Sequence, residues 1–79
     1  MSVTAYLTAP VTPSDTVNLP LGIATCLFIG VGGDVVIFSP NTSVGVLHKN
    51  VGAGTVMLTQ ATRVLATGTT ATNIVAWYA

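Results

Sequence analysis

Apolar residues along this chain come in short runs rather than at helical spacing, and glycine or proline interrupts them roughly every eight to twelve positions. Valine and threonine dominate the runs, and β-branched side chains fit a pleated strand better than a helix. The pattern predicts strands over residues 3–8, 23–29, 35–39, 44–49, 55–67 and 73–78, the long fifth one bent near Gln60-Ala61. Residues 9–20 carry Pro10, Pro13 and Pro20 with Ser14-Asp15, which predicts an extended loop or arm containing a turn. Val31-Gly32-Gly33-Asp34 predicts a tight hairpin, because glycine takes positive φ freely. Pro40-Asn41-Thr42, Gly52-Ala53-Gly54 and Gly68-Thr69-Thr70-Ala71 supply the remaining turns.

Alternation assigns faces. In the last strand Ile74, Ala76 and Tyr78 share one side, while Val75 and Trp77 share the other. Both sides are apolar, the pattern of a strand covered on two faces. In the long strand Val56, Leu58, Val64 and Ala66 share a parity opposed by Thr59 and Arg63, which sends Arg63 toward solvent or a partner. The expected fold is all-β: one domain over residues 1–79, a small antiparallel β-sandwich or barrel of about six or seven short strands.

Charge changes the picture most. Asp15, Asp34, Lys49 and Arg63 are the only formal charges, 5 % of the chain with a net charge of zero, while 51 % of the residues are hydrophobic. An ordinary soluble domain is roughly 25 % charged. A chain of 79 residues draws only about 3–5 kcal/mol from its own core without a staple. Cys26 is the single cysteine, so no intrachain disulfide forms, and Cys26 with His48 cannot make a closed zinc site. Oligomerisation or docking is left as the additional source of stability. Two basic residues do not neutralise enough phosphates for nucleic-acid binding.

A membrane is the competing explanation for so apolar a chain. The uncharged stretch between Asp15 and Asp34 contains Asn18, Pro20 and four glycines, and its apolar part falls short of the ~20 residues of a spanning helix. One hairpin does not close a transmembrane barrel. The N-terminus lacks the basic and apolar regions of a secretory signal, and a lone thiol suits a reducing cytoplasm.

No motif points to chemistry. Gly30-Val31-Gly32-Gly33 precedes a strand, whereas a phosphate loop needs a helix N-terminus there. His48 with Asp34 and a serine would be a triad only at hydrogen-bond distance, which no spacing here imposes. Cys26 reads as a small buried apolar residue. Asn41-Thr42-Ser43 matches a glycosylation sequon, read here as a turn. Trp77 and Tyr78 have two open readings, core aromatics or a subunit contact. No catalytic residue, cofactor or metal is expected.

Several blocks in order resemble the spike base proteins of tailed phages and gene transfer agents. They are Val11-Thr12-Pro13-Ser14-Asp15, Asn18-Leu19-Pro20, Leu27-Phe28-Ile29-Gly30 with Gly32-Gly33-Asp34, then Asn50-Val51, Ala53-Gly54-Thr55 and the stretch from Arg63 to Ala76. The chain departs from the family at Leu58-Thr59-Gln60-Ala61-Thr62, where an arginine-containing segment is usual. The resemblance implies a virion structural protein, made in the host cytoplasm, that sits on the capsid surface as a decoration or spike base protein. Its implied partners are copies of itself, with a pentamer favoured, the major capsid protein, and a head spike or fibre. Asp15, Arg63, Trp77 and Tyr78 are the candidate interface residues, and the loop over 9–20 the candidate arm. A phage tail or baseplate component is the alternative. A small carbohydrate-binding module is a third reading, and it requires Trp77 and Tyr78 to form an exposed platform on an edge strand.

Overall fold

A computed structural model describes residues 7–40 and 44–78. The expected strand over residues 3–8 falls largely outside these, as do Asn41, Thr42 and Ser43 of the predicted turn and sequon. Among the described residues seven strands follow in order: β1 (Leu7–Pro10), β2 (Cys26–Val31), β3 (Gly33–Phe38), β4 (Val46–Val51), β5 (Thr55–Met57), β6 (Arg63–Val64) and β7 (Thr72–Tyr78). They form two antiparallel sheets, one in the order β1-β7-β2-β5 and one in the order β4-β3-β6. No helix occurs among the described residues, so the expected all-β sandwich is the observed fold.

The core lies between the sheets. Leu27, Ile29, Ile74, Ala76 and Tyr78 enter it from the four-stranded sheet, and Val35, Ile37 and Val64 from the three-stranded one. Leu27, Ile29 and Val35 are fully buried. The period-2 alternation read for the last strand is what places Ile74, Ala76 and Tyr78 inside and Val75 and Trp77 outside.

The glycine run does not make a hairpin. β2 pairs with β7 and β5, β3 pairs with β4 and β6, and the chain crosses between sheets at Gly32. Glycines are needed there for close approach rather than for a tight turn. A Cβ on Gly33 would lie 2.7 Å from Ala71 N and from Thr70 Oγ1. One on Gly30 would lie 2.6 Å from the Asn73 carbonyl oxygen and 2.7 Å from Asn73 Cβ. Asn73 itself sits at φ 54°, a left-handed kink in β7 directly across from Gly30.

The long strand also divides. β5 pairs with β2 and β6 with β3, and the switch falls at one peptide. Ala61 exchanges both backbone hydrogen bonds with Ala24, whereas Thr62 N donates to Phe38 O at 2.8 Å. The parity of inward residues reverses across this corner. Met57 and Ala61 face the core before it and Val64 faces the core after it. Val56 is therefore 38 % exposed instead of sharing the core side with Val64, which corrects the single parity drawn through the whole segment. Beyond β6 the chain runs on along β3. Thr69 and Thr70 hydroxyl oxygens accept from Val36 N and Asp34 N, taking the place of strand carbonyls.

Candidate interaction surfaces

Asp15 and Arg63, distant in sequence, meet on the outer side of the three-stranded sheet. Ser14 N donates to Val64 O and Leu19 N to Thr62 O, which lays the 11–20 segment along the open edge of β6. Arg63 then donates from Nη1 to the Asp15 carbonyl oxygen (2.9 Å) and from Nε to Asn18 Oδ1 (3.0 Å). Its guanidinium carbon lies 5.1 Å from the centroid of the Phe38 ring, a cation–π contact. The Asp15 carboxylate accepts from Thr67 N (2.9 Å) and Thr67 Oγ1 (2.6 Å). These bonds hold its carboxyl below the ordinary value. The two candidate anchors thus form one clamp that fastens the proline-rich segment to its own sheet and covers the β6 edge.

Trp77 and Tyr78 are separated. Tyr78 is 2 % exposed in the core, with its hydroxyl lacking a hydrogen-bond partner among the described residues. Trp77 points the other way, onto the outer face of the four-stranded sheet, and stacks on Phe28 with ring centroids 6.3 Å apart and planes within 4°. The strand that carries them is interior to its sheet, flanked by β1 and β2. The exposed edge platform required by a carbohydrate-binding module is therefore not what these two aromatics build.

The outer face around Trp77 was not singled out from the sequence. Pro10, Val75, Phe28 and Val56 lie in one register row that crosses all four strands. Trp77 and Cys26 sit side by side in the next row. No formal charge lies on this sheet. Asp34 is on β3, Lys49 on β4, Arg63 on β6, and Asp15 on the segment clamped to β6. Val44, Val46 and Leu47, at and before the edge strand β4, are 65, 45 and 49 % exposed, with Val46 opposite Ile37 and Leu47 opposite Val36 on the other face. The signal for the face was present in the even-numbered apolar residues of the second strand, but the partner rows depend on a register that no local pattern fixes.

The chain's accessible surface of 4532 Å² matches the ~4,450 Å² expected of a compact 8.0 kDa monomer. The exposed aliphatics are thus a property of the surface and not of loose packing. A half-open groove of about 240 Å³ lies between the 11–13 segment and residues 69–74, lined by Val11, Pro13, Thr69 and Ile74 among others. Among the described residues no three His, Cys, Asp or Glu side chains cluster as metal ligands, and no helix is long and apolar enough to cross a membrane.

A solved structure aligns over nearly the whole chain. It is a chain of the capsid of a native gene transfer agent particle computed with C5 symmetry, with TM-score 0.81 and 35 % sequence identity over 94 % of this chain and 83 % of that one. The chain belongs to the capsid-associated proteins of phages and gene transfer agents. No protein-family model matches it, and no curated protein matches it.

A capsid-associated chain is a virion structural protein. Contact with other chains requires desolvation, and an apolar face without charges is the surface that costs least to desolvate.

Proposed function

We propose that this protein is a spike base or decoration protein of the head: a homo-oligomeric ring, with five copies favoured, that docks on the major capsid protein and anchors a head spike or fibre. The observation that carries the reading is the alignment at 35 % identity with a chain of a gene transfer agent capsid computed with C5 symmetry. The order of sequence blocks from Val11 to Ala76 supports the same position. In this role the chain acts by binding alone. The clamp of Asp15 and Arg63 fastens the 11–20 segment over the β6 edge, and the uncharged face of the four-stranded sheet supplies contact area.

The test is a docking assay. Particles assembled without this protein are incubated with purified labelled chain and separated on a density gradient. Migration of label with the heads, at a fixed number of copies per particle and competed by unlabelled chain, is the expected result. Label that stays at the top of the gradient, or that binds isolated tails instead, overturns the proposal.

A further inference from the structure

The sandwich has two chemically different ends. At one of them β2, β4 and β6 begin and β3, β5 and β7 finish, as the antiparallel pairs Leu27↔Met57, Cys26↔Trp77, Ile37↔Val46 and Phe38↔Arg63 require. Backbone bonds tie the two sheets together there, Ala24 N donating to Ala61 O at 2.9 Å and Thr62 N to Phe38 O at 2.8 Å. The segments next to these strand ends carry Leu21, Ile23, Val44 and Leu58, and β1 starts beside them with Leu7 opposite Tyr78. All five side chains are exposed by half or more. Residues 16–26, 37–40, 44–46 and 56–62, which supply this end, contain no charged side chain. Arg63, the first residue of β6, turns its guanidinium onto the Asp15 carbonyl, Asn18 and the Phe38 ring. The opposite end is polar. Asp34 lies there with Asn50 and Thr70 bonded to it, Asn73 lies across from Gly30, and Lys49 precedes Asn50. Val31, opposite Thr72, is the large hydrophobic exposed at that end.

We infer that the uncharged end is the surface that docks on the shell, against an uncharged aliphatic patch of the major capsid protein. This rests on the proposed function and names its contact surface. A charged partner would lose hydration at this end without gaining a counter-charge, so the matching patch is itself uncharged. Apolar surface without charges also costs least to take out of water. The orientation follows from the same chemistry, because the shell is the partner that every docked copy has. In the reverse orientation Leu21, Ile23 and Leu58 would stand in water on every copy that carries no fibre, and Asp34 and Lys49 would be pressed against the shell. Docking by the end leaves the flanks of the sandwich, the Phe28–Trp77 face included, free for neighbouring chains.

Three lysine variants at exposed positions test the assignment. Leu21→Lys and Leu58→Lys charge the apolar end at two independent sites, and Ala53→Lys charges the opposite end. Circular dichroism verifies the fold of each. Heads assembled without this protein are titrated with labelled chain, and bound label is read after sedimentation. Leu21→Lys and Leu58→Lys each weaken docking by about tenfold or more, since each buries an unpaired charge in the contact. Ala53→Lys binds within about twofold of the wild type, as a surface change outside a contact does. Leu58→Met, which keeps volume and apolarity, retains docking. Folded Leu21→Lys and Leu58→Lys chains that dock like the wild type, or an Ala53→Lys chain that alone fails to dock, overturn the inference. So does binding to isolated fibre that the two lysines abolish while binding to heads persists. Wild-type chain that never docks on heads contradicts the proposed function, whereas docking indifferent to Leu21 and Leu58 contradicts this inference alone.

Discussion

Gly30→Ala is a small change with a large expected cost. The added methyl carbon meets the Asn73 carbonyl oxygen at 2.6 Å and Asn73 Cβ at 2.7 Å, far inside van der Waals contact. Neither atom is the free end of a flexible side chain. Both belong to β7, which is fixed on one flank by β1 and on the other by β2 itself. Relief requires the two central strands to part at this pair, in a ladder whose register is otherwise unbroken from Cys26↔Trp77 to Val31↔Thr72. Overpacking of this kind costs about 1–3 kcal/mol, and obstruction by backbone puts the expectation at the upper end. At about 4–8 °C per kcal/mol for a domain of this size, the melting temperature falls by about 10–20 °C. Asn73→Gly removes one of the two obstructing atoms and the left-handed strain at φ 54°. By itself it is nearly neutral, since the strain relieved, about 1–2 kcal/mol, is offset by glycine's larger entropy loss of about 0.5–1 kcal/mol. In the Gly30→Ala background it recovers about 1 kcal/mol, a coupling of the size seen between touching residues. Thermal and urea unfolding followed by fluorescence of Trp77, the single tryptophan, reads all four proteins. A Gly30→Ala melting point within about 4 °C of the parent would refute the packing argument. So would an Asn73→Gly effect equal in both backgrounds.

Other expectations concern the core and the clamp. Leu27→Ala, at a fully buried core position, costs about 3 kcal/mol in urea unfolding; a loss below about 1 kcal/mol contradicts the assigned core. Tyr78→Phe removes a buried hydroxyl that has no hydrogen-bond partner among the described residues, so its stability equals or exceeds the parent's in the same assay. Asp15 has a folded-state carboxyl value lowered by the Thr67 hydrogen bonds. Its stabilising contribution is therefore complete above the unfolded value of about 3.9 and is lost as pH falls through the lower folded value. Asp15→Asn flattens that acid limb of the melting profile and speeds limited proteolysis within residues 11–20; an unchanged limb and cleavage rate count against the clamp.

What the sequence revealed tracks how local each determinant is. The strand character of the Val- and Thr-rich runs, the inward set Ile74, Ala76 and Tyr78, and the kink near Gln60-Ala61 all follow from alternation and turn chemistry within a few residues. The hairpin expected at Gly32-Gly33 failed because two strands joined by a glycine pair either fold back on each other or cross to a second sheet. The choice is made by β7 and β5, which lie far along the chain. The parity of the long strand failed for a related reason, since the corner at Ala61–Thr62 exchanges β2 for β3. Low charge density pointed to a surface for contact, but gave no sign of where an uncharged face would lie. Asp15 and Arg63 stood out as rare charges, and the fold uses them on each other's segments. The uncharged face around Trp77 needed the register of four strands before it existed as a surface at all.

The most direct test of the central claim is the position of this chain in the intact particle, read by cryo-electron microscopy with its density traced. The account predicts a closed ring of copies on the head. Density for the chain in the tail or baseplate, or isolated single copies on the shell, would contradict it.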